Sequence, residues 1–440
     1  SSELNIGLTK AFKKYPDIVS VAIDTWGCDF GFLDKQGRLL ANPANYRDEW
    51  RHRYKPELDS KIGEYEIFKM GGANTNPIMS IYYLYALIRE DATELKYADK
   101  FLMIPDLLNY YLTGVAANEY TDATMSLLVD QKNKCWNKEL ISKIGIDGSL
   151  FQEIRQPGTI LGTLKESLCA ELGIPSVPVV SVASHDTASA IAGIPLSKDS
   201  KDWAYISLGT WAIFGKETTE LNSSMDVFKT GFANQGGVEC KNNYVNLLTG
   251  LWIIQQCQEY WSRERGEKVG WDEIVQSAAV VPTGRAFIDV QDTAFTLVNT
   301  NMPQAIGEYC RGKGQYVPTG MGEVACVVYE SMVMKFKECM ENVQYITKTS
   351  PQVLHVFGGG IQNKMLCQWM ADAMNIPVKA GPVETTSVGN LLMQMKAMGD
   401  ISSIGEGREL SAKSSDVAEY IPSGKNEFEE HYQTYKRLLG

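Results

Sequence analysis

Along the 440 residues, segments with the helical repeat alternate with short, wholly apolar runs bounded by turn residues. A strand that is apolar on both faces must be covered on both, so this alternation specifies sheets flanked by helices. The expected class is α/β. An opening helix around 8–14 leads to the first apolar run, 18–24, which ends on Asp24. Residues 28–33 and 38–40 flank the polar turn Asp34-Lys35-Gln36-Gly37 and read as a hairpin. Helices are predicted over 78–90, 105–112 and 138–144. A second buried-strand signal, 177–183, runs directly into Ser184, His185, Asp186 and Thr187 and then into a small-residue helix over 188–192.

A chain of this length exceeds what one hydrophobic core serves, so two domains are expected. The charged, turn-rich stretch 195–202 is the best boundary, which divides the chain into 1–196 and 197–440. Strands are predicted over 203–207 and 210–214, joined by a tight turn at Leu208 and Gly209. A long helix over 323–345 and a strand over 353–357 follow. The glycines at 358–360 then open a helix ending near Met374, and a strand over 377–380 precedes a helix over 388–398. No short-period repeat or low-complexity linker interrupts this order, which excludes solenoids and tethered modules.

With 42 basic and 53 acidic residues the net charge is −11, so nucleic acid and anionic membranes should be repelled. The nine cysteines form no CxxC, no zinc spacing and no disulfide framework, which fits a reducing cytoplasm. Four histidines make a histidine-built metal site improbable. The first fourteen residues lack the apolar core of a signal peptide. The most apolar window, 177–196, is broken by two prolines, His185 and Asp186, and cannot serve as a membrane span.

Asp24 and Asp186 stand at the carboxyl ends of predicted buried strands, where open α/β sheets place their ligand crevices. Either aspartate could instead cap the turn or helix that follows. For Asp186 the dense polar cluster around it favours chemistry, because a core would select apolar side chains there. Such a carboxylate can accept a proton from a substrate hydroxyl. Gly209-Thr210 and Gly358-Gly359-Gly360 offer backbone N–H groups to a phosphate, although each also reads as a plain tight connection. Neither GxxxxGK[ST] nor GxGxxG is present, so P-loop and Rossmann readings lack support. Cys28 and Cys367 read as small packing residues, and the Met-rich 393–398 as core. Trp26 and Trp211 fit either stacking on a sugar ring or burial.

In combination and order these pieces become specific: Ile-Asp-Thr-Trp-Gly-Cys-Asp-Phe at 23–30, Asn-Tyr-Arg-Asp at 45–48, Met-Ile-Pro-Asp-Leu at 103–107, Ala-Ser-His-Asp-Thr-Ala-Ser-Ala at 183–190, Ser-Leu-Gly-Thr-Trp at 207–211, Gly-Leu-Trp-Ile-Ile-Gln at 250–255, Gly-Gly-Gly-Ile-Gln-Asn at 358–363 and Gly-Pro-Val-Glu at 381–384. Together they resemble the FGGY carbohydrate kinases, and within them the branch that acts on L-rhamnulose. The resemblance runs from about Ile18 to the last helix. It implies two actin-like (ribonuclease H-like) domains with the active-site cleft between them. The first would be a sugar-binding domain and the second a nucleotide-binding domain. It also implies ATP and Mg²⁺ as cofactors and a ketose as the small-molecule substrate. Asp186 would be the general base, with His185 and Thr187 beside it at the sugar and Gly27 allowing close approach. Thr210 would touch the nucleotide phosphates, Gln255 would lie near the nucleotide, and Gly359 would sit under the adenosine. The metal ligands are left open, with Asp24 and Asp186 the nearby candidates.

Three departures from the family pattern stand out. The family opens with a strand and hairpin carrying an Asp-x-Gly phosphate loop, whereas this sequence starts in what corresponds to the first helix, so the expectation is a piece of a longer chain. A sugar-binding Asn of the L-rhamnulose branch falls on Leu247, with Asn246 one place earlier, and a one-residue shift on a strand turns a side chain to the opposite face. A family Phe-Asn-Thr reads Ile78-Met79-Ser80, which should alter the hydroxyls recognised. Fuculose, xylulose, or a sugar-binding relative without transfer activity are the alternatives these departures leave. The acidic surface gives no sign of a protein partner or of an oligomeric state.

Overall fold

Asp24 and Asp186 reach the same end of one sheet because the apolar runs ahead of them pair as parallel strands. In the computed structural model, which describes every residue except Ser1, Leu297, Asn299, Lys425 and Gly440, Val21–Ala22 lies beside Pro178–Ser181 with Val21 opposite Val179. A bridge then sets Thr25 opposite His185, closed by Thr25 N–H to Ser184 O and Asp186 N–H to Thr25 O, both 2.8 Å. Thr159–Thr163 pairs antiparallel on the far side of Pro178–Ser181. The strand expected over 18–24 is thus shortened to two residues. Its register puts Ser20 across from Pro178, which has no N–H to extend the ladder.

The helices Ser80–Arg89, Ile104–Thr113, Lys138–Ile144 and Asp186–Ala192 form where the periodicity places them. The hairpin expected at 28–40 is only partly realised. Gly37 takes the left-handed turn conformation, and single bridges join Leu33 to Leu39 and Phe30 to Ala44. The main partner of Phe30–Leu33 is Lys100–Met103, distant in sequence, and the pairing packs Phe30 and Phe32 against Phe101 within a buried aromatic cluster. Apolar area gained at that pairing outweighs the loop closed to reach it.

Two compact units result: Ser1–Lys198 with Glu217–Tyr244 and Thr385–Ser414, and Asp199–Lys216 with Val245–Glu384 and Ser415–Gly440. The sequence suggested one break at 196/197, whereas each unit draws on three separate stretches. Glycine explains one of the long-range joins. A Cβ on Gly389 would stand 1.7 Å from Ser189 O, and one on Gly193 would stand 2.4 Å from Thr385 O, so Thr385–Met398 meets Asp186–Ala192 backbone to backbone. Charge explains another. Buried Arg408 forks onto Glu217 at 2.7 and 3.0 Å and also donates to Ile191 O, while Lys241 reaches Glu217 at 2.7 Å. These cations hold the Glu217 carboxyl below the ordinary range despite its burial.

In the second unit Trp203–Leu208 and Trp211–Thr218 form the expected antiparallel hairpin, with Leu208 opposite Ala212. Val353–Phe357 lies parallel on the other side of Trp203–Leu208, followed by parallel Val378–Ala380 and antiparallel Ala418–Tyr420. Helices Gly320–Thr347 and Lys364–Met374 pack together against this unit. Among the described residues no helix is long and apolar enough to cross a membrane.

Candidate active site

Asp186 is the first residue of its helix, and the preceding His185 makes no side-chain cap. The Asp186 side chain is 44% exposed, whereas that of His185 is 6% exposed, with His185 Nε2 at 3.7 Å from Asp186 Oδ1. Thr187 Oγ1 donates to the same Oδ1 at 3.3 Å, which leaves Oδ2 without a partner among the described residues. Burial lowers the pKa of His185, so at neutral pH its ring is uncharged, and its buried Nδ1 has no partner among the described residues. A carboxylate oxygen open to solvent beside an unsatisfied neutral imidazole can receive a hydroxyl-bearing ligand.

Asp24, half-buried, accepts a hydrogen bond from Asn390 Nδ2. Burial raises its pKa, Asn390 pulls it back, and the charge of Asp186 raises it further. Among the described residues no backbone N–H donates to the Asp24 side chain, so it caps no turn there, and it feels the second carboxylate.

Gly27 lies in a loop that its surroundings hold rigidly. A Cβ there would come within 2.7 Å of Met125 Cγ and 3.1 Å of Asp122 Oδ1, so no other residue fits without displacement. Cys28 adopts a positive φ of 75°, and its carbonyl accepts from Ser80 Oγ at 2.8 Å and Arg51 Nη2 at 3.2 Å. Arg51 is fully buried, donates also to Asn45 O and Ile78 O, and lies 3.6 Å from Asp29. Ile78-Met79-Ser80 thus supplies a carbonyl, a sulfur 3.9 Å from Cys28 Sγ and a hydroxyl to this loop. Burial drives the Cys28 thiol far up, and pushes that of Cys367 up to about 12, so both are packing residues. Met393 is likewise core. Trp26 and Trp211, by contrast, are exposed rather than buried.

Sequence reasoning did not single out Glu119. This buried carboxylate accepts from Thr121 N at 2.9 Å, Ser184 N at 3.0 Å and Ser184 Oγ at 2.7 Å, while Thr121 Oγ1 accepts from His185 N at 3.2 Å. It fixes the turn that presents Asp186. Burial raises its pKa and these donors pull it back; Asp106 and Asp122 behind it are raised well above the usual range by burial and by neighbouring acids. Both oxygens of Asp122 lack partners among the described residues. The nearest sequence signal was Glu-Tyr-Thr-Asp at 119–122, which an exposed helix start would show equally.

A pH dependence follows. Raised folded-state values mean that these carboxyls keep protons the unfolded chain releases near pH 4, so their stabilisation is complete below about pH 4 and is lost as pH rises through the folded values. The melting temperature of Asp122→Asn, relative to the parent, should therefore improve as pH rises above about 4. A difference independent of pH would mean that Asp122 is ionised in the fold.

In the second unit, Gly209 O and Thr210 O accept from the N–H groups of Leu251 at 2.8 Å, Gly250 at 3.1 Å and Trp252 at 3.2 Å. This seats the hairpin turn on the start of helix Trp252–Arg265, one turn before half-buried Gln255. Gly209 N–H closes onto Trp211 O, so it is not free for a phosphate. Gly358 has a positive φ of 88°, and a Cβ there would meet Leu208 O at 2.9 Å, whereas one on Gly360 would meet Leu208 Cγ at 2.3 Å. Gly359 is exposed with nothing within 4 Å of its Cβ position. Thr210, Gln255 and Gly359 are therefore arranged around one junction of backbone segments. Asn246 is buried with Nδ2 at 3.9 Å from Cys339 Sγ, and neighbouring Leu247 is half-buried.

Residues 8–193 match the N-terminal domain model of the FGGY family of carbohydrate kinases, and residues 204–398 match its C-terminal domain model. A rhamnulokinase of Bacteroides thetaiotaomicron is 33% identical over 98% of this chain and 88% of its own length. A rhamnulokinase of Enterococcus faecalis is 35% identical over 92% of this chain and 81% of its own. Among solved structures, a xylulose kinase from Rhodospirillum rubrum superposes with a TM-score of 0.81 at 16% identity, covering 98% of this chain and 86% of that one. A Plasmodium falciparum glycerol kinase solved with ADP gives 0.78 at 16% identity, covering 99% and 88%. The fold is that of the two-domain sugar kinases.

Proposed function

Because this chain belongs to the FGGY family of carbohydrate kinases, we propose that it transfers the γ-phosphoryl group of ATP to the C1 hydroxyl of L-rhamnulose in the cytoplasm, with Asp186 as general base. The observation that carries the reading is the open Oδ2 of Asp186, held by the Thr25 bridge and the Glu119 network at the end of paired strands. The rhamnulokinase relatives support the choice of ketose.

Asp186 Oδ2 takes the proton of the sugar's primary hydroxyl as that oxygen bonds to the γ-phosphorus. The bond from phosphorus to the β-bridging oxygen breaks, and ADP carries the electron pair away. Little covalent help is needed, since positioning and charge stabilisation dominate phosphoryl transfer. Neutral His185 and Thr187 fix the sugar hydroxyls beside the backbone of Gly27, whose missing side chain makes room for Met125 and Asp122. Thr210, Gln255 and Gly359 would hold the nucleotide. In this reading the unit built mainly from 1–198 holds the sugar and the unit that carries Thr210, Gln255 and Gly359 holds the nucleotide.

Among the described residues no group of three or more metal-binding side chains exists. Mg²⁺ on a nucleotide needs only one or two carboxylates besides phosphates, and Asp24 with Asp186, whose mutual repulsion raises Asp24, fits that demand. When bound it would neutralise phosphate charge.

Leu247 at the place of a sugar-binding Asn, with Asn246 buried beside Cys339, and the loop-holding role of Ile78-Met79-Ser80 favour one other reading, a kinase for another ketose such as fuculose or xylulose. Coupled ADP release from full-length protein across a panel of ketoses separates the two, with L-rhamnulose expected to give the highest kcat/KM. No stimulation by any sugar would overturn both readings. Gly359→Val, placed in open space, should leave the melting temperature unchanged and raise KM for ATP about tenfold without moving KM for the sugar. An unchanged KM for ATP would remove Gly359 from the nucleotide site.

A further inference from the structure

The first unit contains a cavity of about 640 Å³ that none of Gly27, His185, Asp186 or Thr187 lines. That volume lies within the range of about 300–1,000 Å³ typical of small-molecule sites. Two of its lining residues are buried amides left incomplete. Gln131, 5% exposed, spends Nε2 on Gly71 O at 3.0 Å and Asn234 O at 3.1 Å, which fixes its orientation and leaves Oε1 without a partner among the described residues. Asn242, also 5% exposed, has an Oδ1 without a partner among the described residues. Buried acceptors without donors are rare in folded proteins and call for a ligand or water that supplies hydroxyl hydrogens.

The same cavity is lined by Lys69, Lys132 and Lys134. Lys69 lies at 3.7 Å from Glu66, and Lys134 rests over the Tyr120 ring at 5.8 Å. Lys132 has no acidic partner among the described residues. Of the acids on the lining, Asp130 is engaged by Asn133 through its N–H at 3.0 Å and its Nδ2 at 2.7 Å; Glu220 is the other. Ammonium groups beside buried amide acceptors select a molecule that is anionic at one end and hydroxylated at the other.

We propose that this cavity is a second ligand site, separate from the site around Asp186, for a small polyhydroxylated anion of the size of a sugar phosphate. The ligand class rests on the cavity alone and does not depend on the kinase reading.

Cys240 supplies the readout, because it is exposed and lines the cavity, whereas Cys135 is exposed and does not. Alkylation of the two cysteines is followed by peptide mass spectrometry with fructose 1-phosphate, gluconate, fructose or inorganic phosphate added. Fructose 1-phosphate at about ten times its Kd should slow Cys240 alkylation about tenfold and leave Cys135 unchanged. Gluconate acting equally well would place a carboxylate rather than a phosphate at the lysines, within the same class. In Lys132→Met/Lys134→Met, checked for native circular dichroism, the Kd should weaken about tenfold or more. The site is overturned if no compound protects Cys240, if inorganic phosphate or fructose alone protects as well as fructose 1-phosphate, or if protection survives loss of both lysines.

Discussion

Asp186→Asn should lower kcat by about a thousandfold while leaving sugar affinity within a few-fold of the parent, since positioned general bases typically contribute about 10²–10⁴. The change is isosteric. Asn keeps an oxygen for Thr187 Oγ1 and, as the first residue of its helix, keeps the N–H bond to Thr25 O. What it cannot do is accept a proton from an attacking hydroxyl. Single-turnover rates with ATP in excess, together with calorimetric sugar binding, separate this from misfolding. Equal losses in binding and turnover would make Asp186 a binding group instead.

Gly389→Ala should be among the most destabilising single-methyl additions in the chain. The new Cβ would stand 1.7 Å from Ser189 O, a backbone atom of the helix that begins with Asp186, and 2.9 Å from Gly193 N. No rotamer can relieve that approach, so the two helices must separate. Overpacking of this severity costs about 3 kcal/mol or more, which for a unit of this size lowers the melting temperature by roughly 6–12 °C. Because the displaced helix presents Asp186, kcat should fall as well. Gly405→Ala is the control, as its Cβ meets nothing closer than 3.6 Å and should leave stability near that of the parent. Equal melting temperatures for the two variants would show that the helices do not make backbone contact.

The two aspartates were legible because buried parallel strands announce themselves as apolar runs, and their ends are where open sheets place chemistry. Helix positions such as Lys138–Ile144 and the strand Val353–Phe357 were legible from period alone. The Gly193 and Gly389 contact was not, since neither glycine carries a signal of which distant glycine it meets. The pairing of Phe30–Leu33 with Lys100–Met103 was hidden for the same reason: local turn chemistry at Gly37 favours the hairpin, and tertiary burial of Phe30 and Phe101 decides otherwise. Glu119 was invisible because a buried acid and an exposed one look alike until Ser184 and Thr121 are seen donating to it. Arg51, at a position that helix periodicity leaves unremarked, proves to be what holds the Gly27 loop.

The fate of the γ-phosphoryl group decides whether this protein is a ketose kinase, and phosphorus and carbon NMR follow it in a mixture of the protein, ATP, Mg²⁺ and L-rhamnulose. Transfer to the sugar gives one phosphomonoester per ADP formed, with phosphorus coupled to C1 of the ketose. ADP appearing with inorganic phosphate alone, or at the same rate without sugar, would contradict it.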